Sequence, residues 1–64
     1  MIGRIAENME KEQVYMSLET GEVVDDHYKA MDLYRDGHEI QILYRVRHDG
    51  EEWGPFFEGA YWAH

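Results

Sequence analysis

The sequence predicts a small α+β domain: an antiparallel sheet of about four strands, laid out as β-hairpin, helix, β-hairpin, with the one helix packed on it. Three observations carry that expectation. Apolar and polar side chains alternate over 13–19 and again over 39–47. Asp25 and Asp26 before it, and Gly37 after it, bracket a stretch with helical spacing of its apolar residues. Glu19-Thr20-Gly21-Glu22 and His48-Asp49-Gly50-Glu51 have turn composition.

Taken in order, the opening residues fit two patterns. Ile2 and Ile5 suit a strand, whereas Ile5, Met9 and the Glu7/Lys11 pair have helical spacing. From Gln13 the pattern is that of a half-buried strand, with Val14, Met16 and Leu18 on one side and Gln13, Ser17 and Glu19 on the other. The turn at 19–22 returns the chain into a short strand at Val23 and Val24, so that Glu19 and Glu22 sit at the hairpin tip.

An aspartate accepts the free backbone N–H groups of a first helical turn, which makes Asp25 or Asp26 the cap of a helix. Tyr28, Met31 and Tyr34 share one side of that helix, with Ala30 and Leu33 beside them. Arg35 suits its C-terminal dipole, and Gly37 can take the left-handed conformation that ends it. The competing pattern is a three-stranded meander over 28–57, suggested by Asp36-Gly37 and Asp49-Gly50 in similar settings. Ala30, Met31 and Leu33 favour the helix, and the stretch lacks clean alternation.

The strand over 39–47 is the clearest element, with Ile40, Ile42, Tyr44 and Val46 on one face and Glu39, Gln41, Arg45 and Arg47 on the other. After the turn, Glu52-Trp53-Gly54 begins the partner strand, which Pro55 confines to an edge or a strand end. Phe56 and Phe57 then point to opposite sides of an extended chain. Most of the five rings of Trp53, Phe56, Phe57, Tyr61 and Trp62 are expected in the core, because large rings remove the most area from water per residue. Phe57, Tyr61 and Trp62 are the candidates for an exposed contact point. No linker or low-complexity segment divides the chain, so residues 1–64 read as one small acidic domain.

Composition narrows the function. Sixty-four residues form a marginal core, and without cysteine there is neither a disulfide framework nor a thiolate zinc site. Absent cysteines and the lack of an apolar run of signal or membrane-span length point to a cytoplasmic protein off the membrane. Fourteen acidic residues against six basic ones give a net charge of −8, which repels nucleic acid and anionic lipid. The acids concentrate in two flanks, 7–26 and 48–64, around a nearly neutral centre. If the flanks meet in space, they form one acidic surface.

Catalytic chemistry finds little support. Ser17, Thr20, Lys11 and Lys29 are the only candidate nucleophiles, and none has a recognisable base or oxyanion loop nearby in sequence. His27, His38, His48 and His64 lack metal-ligand spacing, and Asp49-Gly50-Glu51-Glu52 lacks the alternating ligands of a calcium loop. Asp25/Asp26 and Glu51/Glu52 read as a helix cap and a solvated turn, and the six glycines are scattered and form no phosphate cradle. No enzyme activity, cofactor or metal is expected.

What remains is charge and aromatic surface. The sequence points to an acidic module that binds a protein partner with a basic surface, occupying a nucleic-acid-type site by charge mimicry as small phage-encoded antidefence proteins do. Its contacts are Glu19, Glu22, Asp25 and Asp26 from the first hairpin and helix start, and Asp49, Glu51, Glu52 and Glu58 from the second hairpin. Tyr61 and Trp62 anchor the rim. The alternative is a structural or assembly protein that homodimerises through the aromatic C-terminal segment, its acidity serving solubility alone.

Overall fold

A computed structural model describes residues 9–64. The chain forms β1 (Met9–Ser17), β2 (Val23–Val24), α1 (His27–Arg35), β3 (Ile40–His48) and β4 (Phe57–Trp62). Among the described residues the strands make one four-stranded antiparallel sheet in the order β2-β1-β3-β4, with the single helix α1 packed on it. Since β2 and β3 flank β1, the connection between them must pass over β1, and α1 is that crossover. The meander over 28–57 is thereby replaced by helix in its first third. The opening 1–8, with Ile2, Ile5 and Glu7, lies outside the described residues, while Met9 and Lys11 belong to β1.

Local chemistry accounts for the turns. Gly21 takes φ 78° in the first hairpin, where Gly21 N–H donates to the Ser17 carbonyl and Ser17 N–H to that of Glu22. Asp26 caps α1, its carboxylate accepting from the Tyr28 N–H at 2.8 Å. At the other end Gly37, at φ 101°, lets its own N–H reach the Tyr34 carbonyl and the His38 N–H reach that of Leu33. This double closure satisfies two of the carbonyls that a helix end leaves open.

Register decides which side chains share a face. Tyr15 lies opposite Ile42 and Val24, Ser17 opposite Ile40, and Ile40 opposite Trp62, so these residues point to the side on which α1 lies. The core there is Tyr15, Ala30 and Ile40, surrounded by Val24, Leu33, Tyr34, Ile42 and Trp62. Val14 and Met16 share the opposite, open face beside Leu43 and Val23, away from α1; Val14 is buried there, at 7% exposure, and Met16 half-buried. Leu18, expected with them, lies past the end of β1 and is exposed. The reason is the crossover: it covers the side of β1 that carries Tyr15 and Ser17, whose larger ring and hydrogen-bonding hydroxyl outweigh simple alternation. Ser17 is fully buried, its Oγ 2.6 Å from His38 Nδ1 and accepting the N–H groups of Glu19 and Thr20, so no polar atom is stranded. On α1, Ala30 is fully buried while Tyr28 stands 75% exposed, because only the small residue fits where the helix meets the sheet.

The second hairpin differs from expectation. Trp53 does not begin the partner strand; β4 starts at Phe57, and 49–56 form a longer connection held by the Gly54 N–H on the Val46 carbonyl. That connection folds back over the open face, where Arg45 and Arg47 lie. The Arg45 guanidinium sits 5.0 Å from the Trp53 ring centre and 4.6 Å from that of Phe56, and Arg47 lies 4.6 Å from Trp53. Glu12 and Glu10 of β1 pair with the same two arginines. Phe57 points the other way, against Tyr44 at 4.4 Å.

β4 also carries a bulge. Gln41 faces Tyr61 and Leu43 faces Glu58, leaving Gly59 and Ala60 together opposite Ile42. The Gln41 side-chain amide lies 3.2 Å from both the Gly59 and the Ala60 carbonyl, which the bulge would otherwise leave without sheet partners.

The two faces of the sheet are thus covered at opposite ends, by α1 on one and by Trp53 and Phe56 on the other. The result is an elongated body of 46 × 22 × 17 Å. No helix among the described residues is long and apolar enough to cross a membrane.

Candidate functional site

The sheet separates the acidic residues into two groups. Glu19 and Glu22 lie in the first turn, which β3 meets where the Leu18 N–H donates to the Glu39 carbonyl. Asp25 and Asp26 follow β2 at the start of α1, and Asp36 lies at the other end of the helix, on the side of the first turn, since the His38 ring touches Ser17. This end therefore collects Glu19, Glu22, Asp25, Asp26, Asp36 and Glu39, all but Glu39 well exposed.

Asp49, Glu51 and Glu52 lie at the other end, beyond His48. From Ile40 to His48 the strand rises about 26 Å, at roughly 3.3 Å per residue. Physiological salt screens exposed charges over about 8 Å, so the two groups do not reinforce one another. The flanks meet only where Glu10 and Glu12 lie beside this second group, and there Arg47 and Arg45 pair with them, so the first-turn acids share no common surface with it. Glu58 is placed between them, on the open face opposite Leu43.

The two ends differ in their cations as well. Arg45 and Arg47 pair with Glu12 and Glu10 next to the far group, and Arg47 also donates to the Glu51 carbonyl. Near the first turn, the ion pair among the described residues is Arg35 with Asp32. Glu19, Glu22, Asp25 and Asp26 make none among the described residues.

Tyr61 and Trp62 part company, as neighbours in a strand must. Tyr61 points to the open face, 49% exposed, and its hydroxyl donates to the Glu39 carboxylate at 2.6 Å. That hydrogen bond, followed by desolvation and the carboxylate charge, raises the phenol above its ordinary 10.0. Trp62 is half-buried against Tyr15 at 5.6 Å and belongs to the core as much as to any rim.

Beside Trp62 the structure forms a cleft that sequence reading missed. His27, Met31 and Tyr34 of α1 face Tyr61, Trp62 and Ala63 across a solvent-open space of about 440 Å³. The Tyr34 hydroxyl donates to the Ala63 carbonyl at 2.7 Å, and the Tyr34 ring stacks on His64 at 4.1 Å, tying the end of β4 to the helix. No local signal announces this pairing, because it depends on where the crossover lands.

No group of three or more histidine or acidic side chains poised for a metal ion occurs among the described residues. Ser17 and His38 resemble a nucleophile and base in distance only, since the hydroxyl is fully buried and already accepts two backbone N–H groups. No protein-family model, curated protein or solved structure matches this chain.

Proposed function

We propose that the protein is a non-enzymatic acidic binding module of the cytoplasm that occupies a basic, nucleic-acid-type site on a protein partner, using the end built from the first hairpin and the start of α1. The observation that carries this reading is the set of exposed carboxylates there, Glu19, Glu22, Asp25 and Asp26, without ion pairs among the described residues. Closely spaced uncompensated carboxylates attract a phosphate-binding surface at long range and give fast, salt-sensitive association. The far group of Asp49, Glu51 and Glu52, with Arg45 and Arg47 beside it, contributes less to the same contact.

The test is capture from the native cell extract on the immobilised protein, followed by elution with duplex DNA. The expected result is a protein released by DNA or raised salt, lost with Glu19→Lys/Glu22→Lys and retained with Glu51→Lys/Glu52→Lys. Recovery indifferent to both charge reversals overturns the proposal.

One observation favours the second reading, self-association through the C-terminal segment. β4 is an edge strand whose outer side has no partner among the described residues, and it presents Phe57 and Tyr61 at 46% and 49% exposure. Light scattering that gives a dimer, with slowed hydrogen exchange over 57–62, supports this second reading; a monomer at all concentrations excludes it.

A further inference from the structure

We propose that the sheet face turned away from α1 seats an amphipathic helix of the protein partner, one whose apolar stripe is flanked by lysine or arginine. This deepens the binding reading above and rests on it. Register sets Val23 beside Met16, Gln41 beside Tyr61, and Leu43 beside Glu58 on this face. Phe56 borders it on the side of Arg45. Val23, Phe56 and Tyr61 are 53%, 43% and 49% exposed, and Met16 and Leu43 between them are half-buried. From β2 to β4 the strip crosses three gaps of about 4.8 Å, a width of roughly 14 Å that equals about nine residues of helix.

The charges on this face choose its occupant. Glu58 stands exposed opposite Leu43, and the Glu39 carboxylate is held on the same side by the Tyr61 hydroxyl. No cation among the described residues is available to these two. Lys11 lies over Tyr44 on the other face, Lys29 and Arg35 belong to α1, and Arg45 and Arg47 pair with Glu12 and Glu10. A second copy seated here would bring two more carboxylates and no unpaired cation to the contact, on a body of net charge −8. An uncharged apolar helix would cover Glu58 without a counter-charge. A helix with basic flanks buries Val23, Met16, Leu43 and Tyr61 and neutralises Glu39 and Glu58 at the rim, the way amphipathic helices dock on apolar surfaces. Val23 immediately follows Glu22, so the face adjoins the first-turn acids and one basic partner reaches both.

The experiment is an amide NMR titration of the full chain with three capped fourteen-residue peptides: a helical one with leucines at i, i+4 and i+7 between lysines, the same composition scrambled, and the helical one with glutamate in place of lysine. The lysine helix is expected to produce saturable shifts at the Met16, Val23, Leu43 and Tyr61 amides, about tenfold tighter than either of the others. Val23→Lys puts an ammonium on the exposed edge of the face, and Glu58→Lys reverses a charge there. Each is expected to weaken that binding by about tenfold or more, whereas Tyr28→Lys, at an exposed position of α1, leaves it unchanged. Equal binding of the scrambled or the glutamate peptide overturns the inference, as does binding undiminished by either face variant. Concentration-dependent shifts at the same amides without peptide mean that a second copy covers the face, and also overturn it. Shifts confined to Glu19, Glu22, Asp25 and Asp26, or the absence of any saturable shift, overturn it as well but leave the charge reading standing, which the capture from extract tests independently.

Discussion

Replacing Gly59 by alanine tests how β4 is packed, because the structure and the ordinary rule predict opposite signs. Glycine within a strand costs about 0.5 to 1 kcal/mol relative to alanine, and φ at Gly59 is not positive, so the substitution should normally stabilise. Here, however, the added Cβ would stand 2.3 Å from Cε1 and 3.1 Å from Cδ1 of Tyr44. Carbon atoms in contact prefer about 3.5 to 4.0 Å, so the ring must retreat by about 1 Å or more. It is held by Phe57 at 4.4 Å and by the Lys11 ammonium at 4.9 Å. Losing the aromatic pair costs about 0.5 to 1.5 kcal/mol, and losing the cation contact about 0.5 to 1 kcal/mol. Set against the backbone gain, the net is a destabilisation of about 1 kcal/mol. That is a measurable share of the roughly 3 to 10 kcal/mol expected for a chain of this size. Urea unfolding should show a lower midpoint with an unchanged slope. In a Tyr44→Ala background the clash is gone, and Gly59→Ala should become neutral or stabilising. A raised midpoint for the single variant, or no change of sign in the double one, would refute the packing argument.

Two further outcomes follow from particular contacts. Asp26→Ala removes the side chain that accepts the Tyr28 N–H and is expected to lower stability by about 1 kcal/mol, with faster amide exchange in the first turn of α1; Asp26→Asn should restore most of it. The raised Tyr61 phenol predicts that Tyr61 ionises above its ordinary range in a titration followed at that residue, and that Glu39→Gln brings it down. Since its folded value lies above the unfolded one, the Tyr61 contribution is complete below pH ~10 and is lost as pH rises through the folded value. A Tyr61 titration unchanged by Glu39→Gln would contradict the Tyr61 to Glu39 hydrogen bond.

The proposed binding surface was only partly legible from the chain. Glu19, Glu22, Asp25 and Asp26 lie within eight residues, so their proximity follows from chain connectivity, and a turn and a helix start keep them exposed. Asp49, Glu51 and Glu52 could join them only if β3 brought its far end back, and a nine-residue strand does the reverse. Summed charge gave no account of this separation, because it carries no distances. The cleft at Trp62 was illegible for a related reason: His27 and Tyr34 are 35 and 28 positions away from it in sequence.

For most of the elements local chemistry was enough, the start of β1 and the start of β4 excepted. Asp26 as a cap, Gly37 as a left-handed stop, Gly21 and Gly50 in turns, and the alternation through Ile40, Ile42, Tyr44 and Val46 each act over a few residues, where backbone sterics and hydrogen bonding decide. Strand order, the face of β1 that is buried, the return of Trp53 and Phe56 over Arg45 and Arg47, and the bulge at Gly59 were decided by the tertiary structure alone. Alternation says that a strand has two sides but not which of them a crossover helix will cover. That choice belongs to long-range packing, where the burial of Tyr15, Ala30 and Ile40 against one another outweighs the pattern of any single segment.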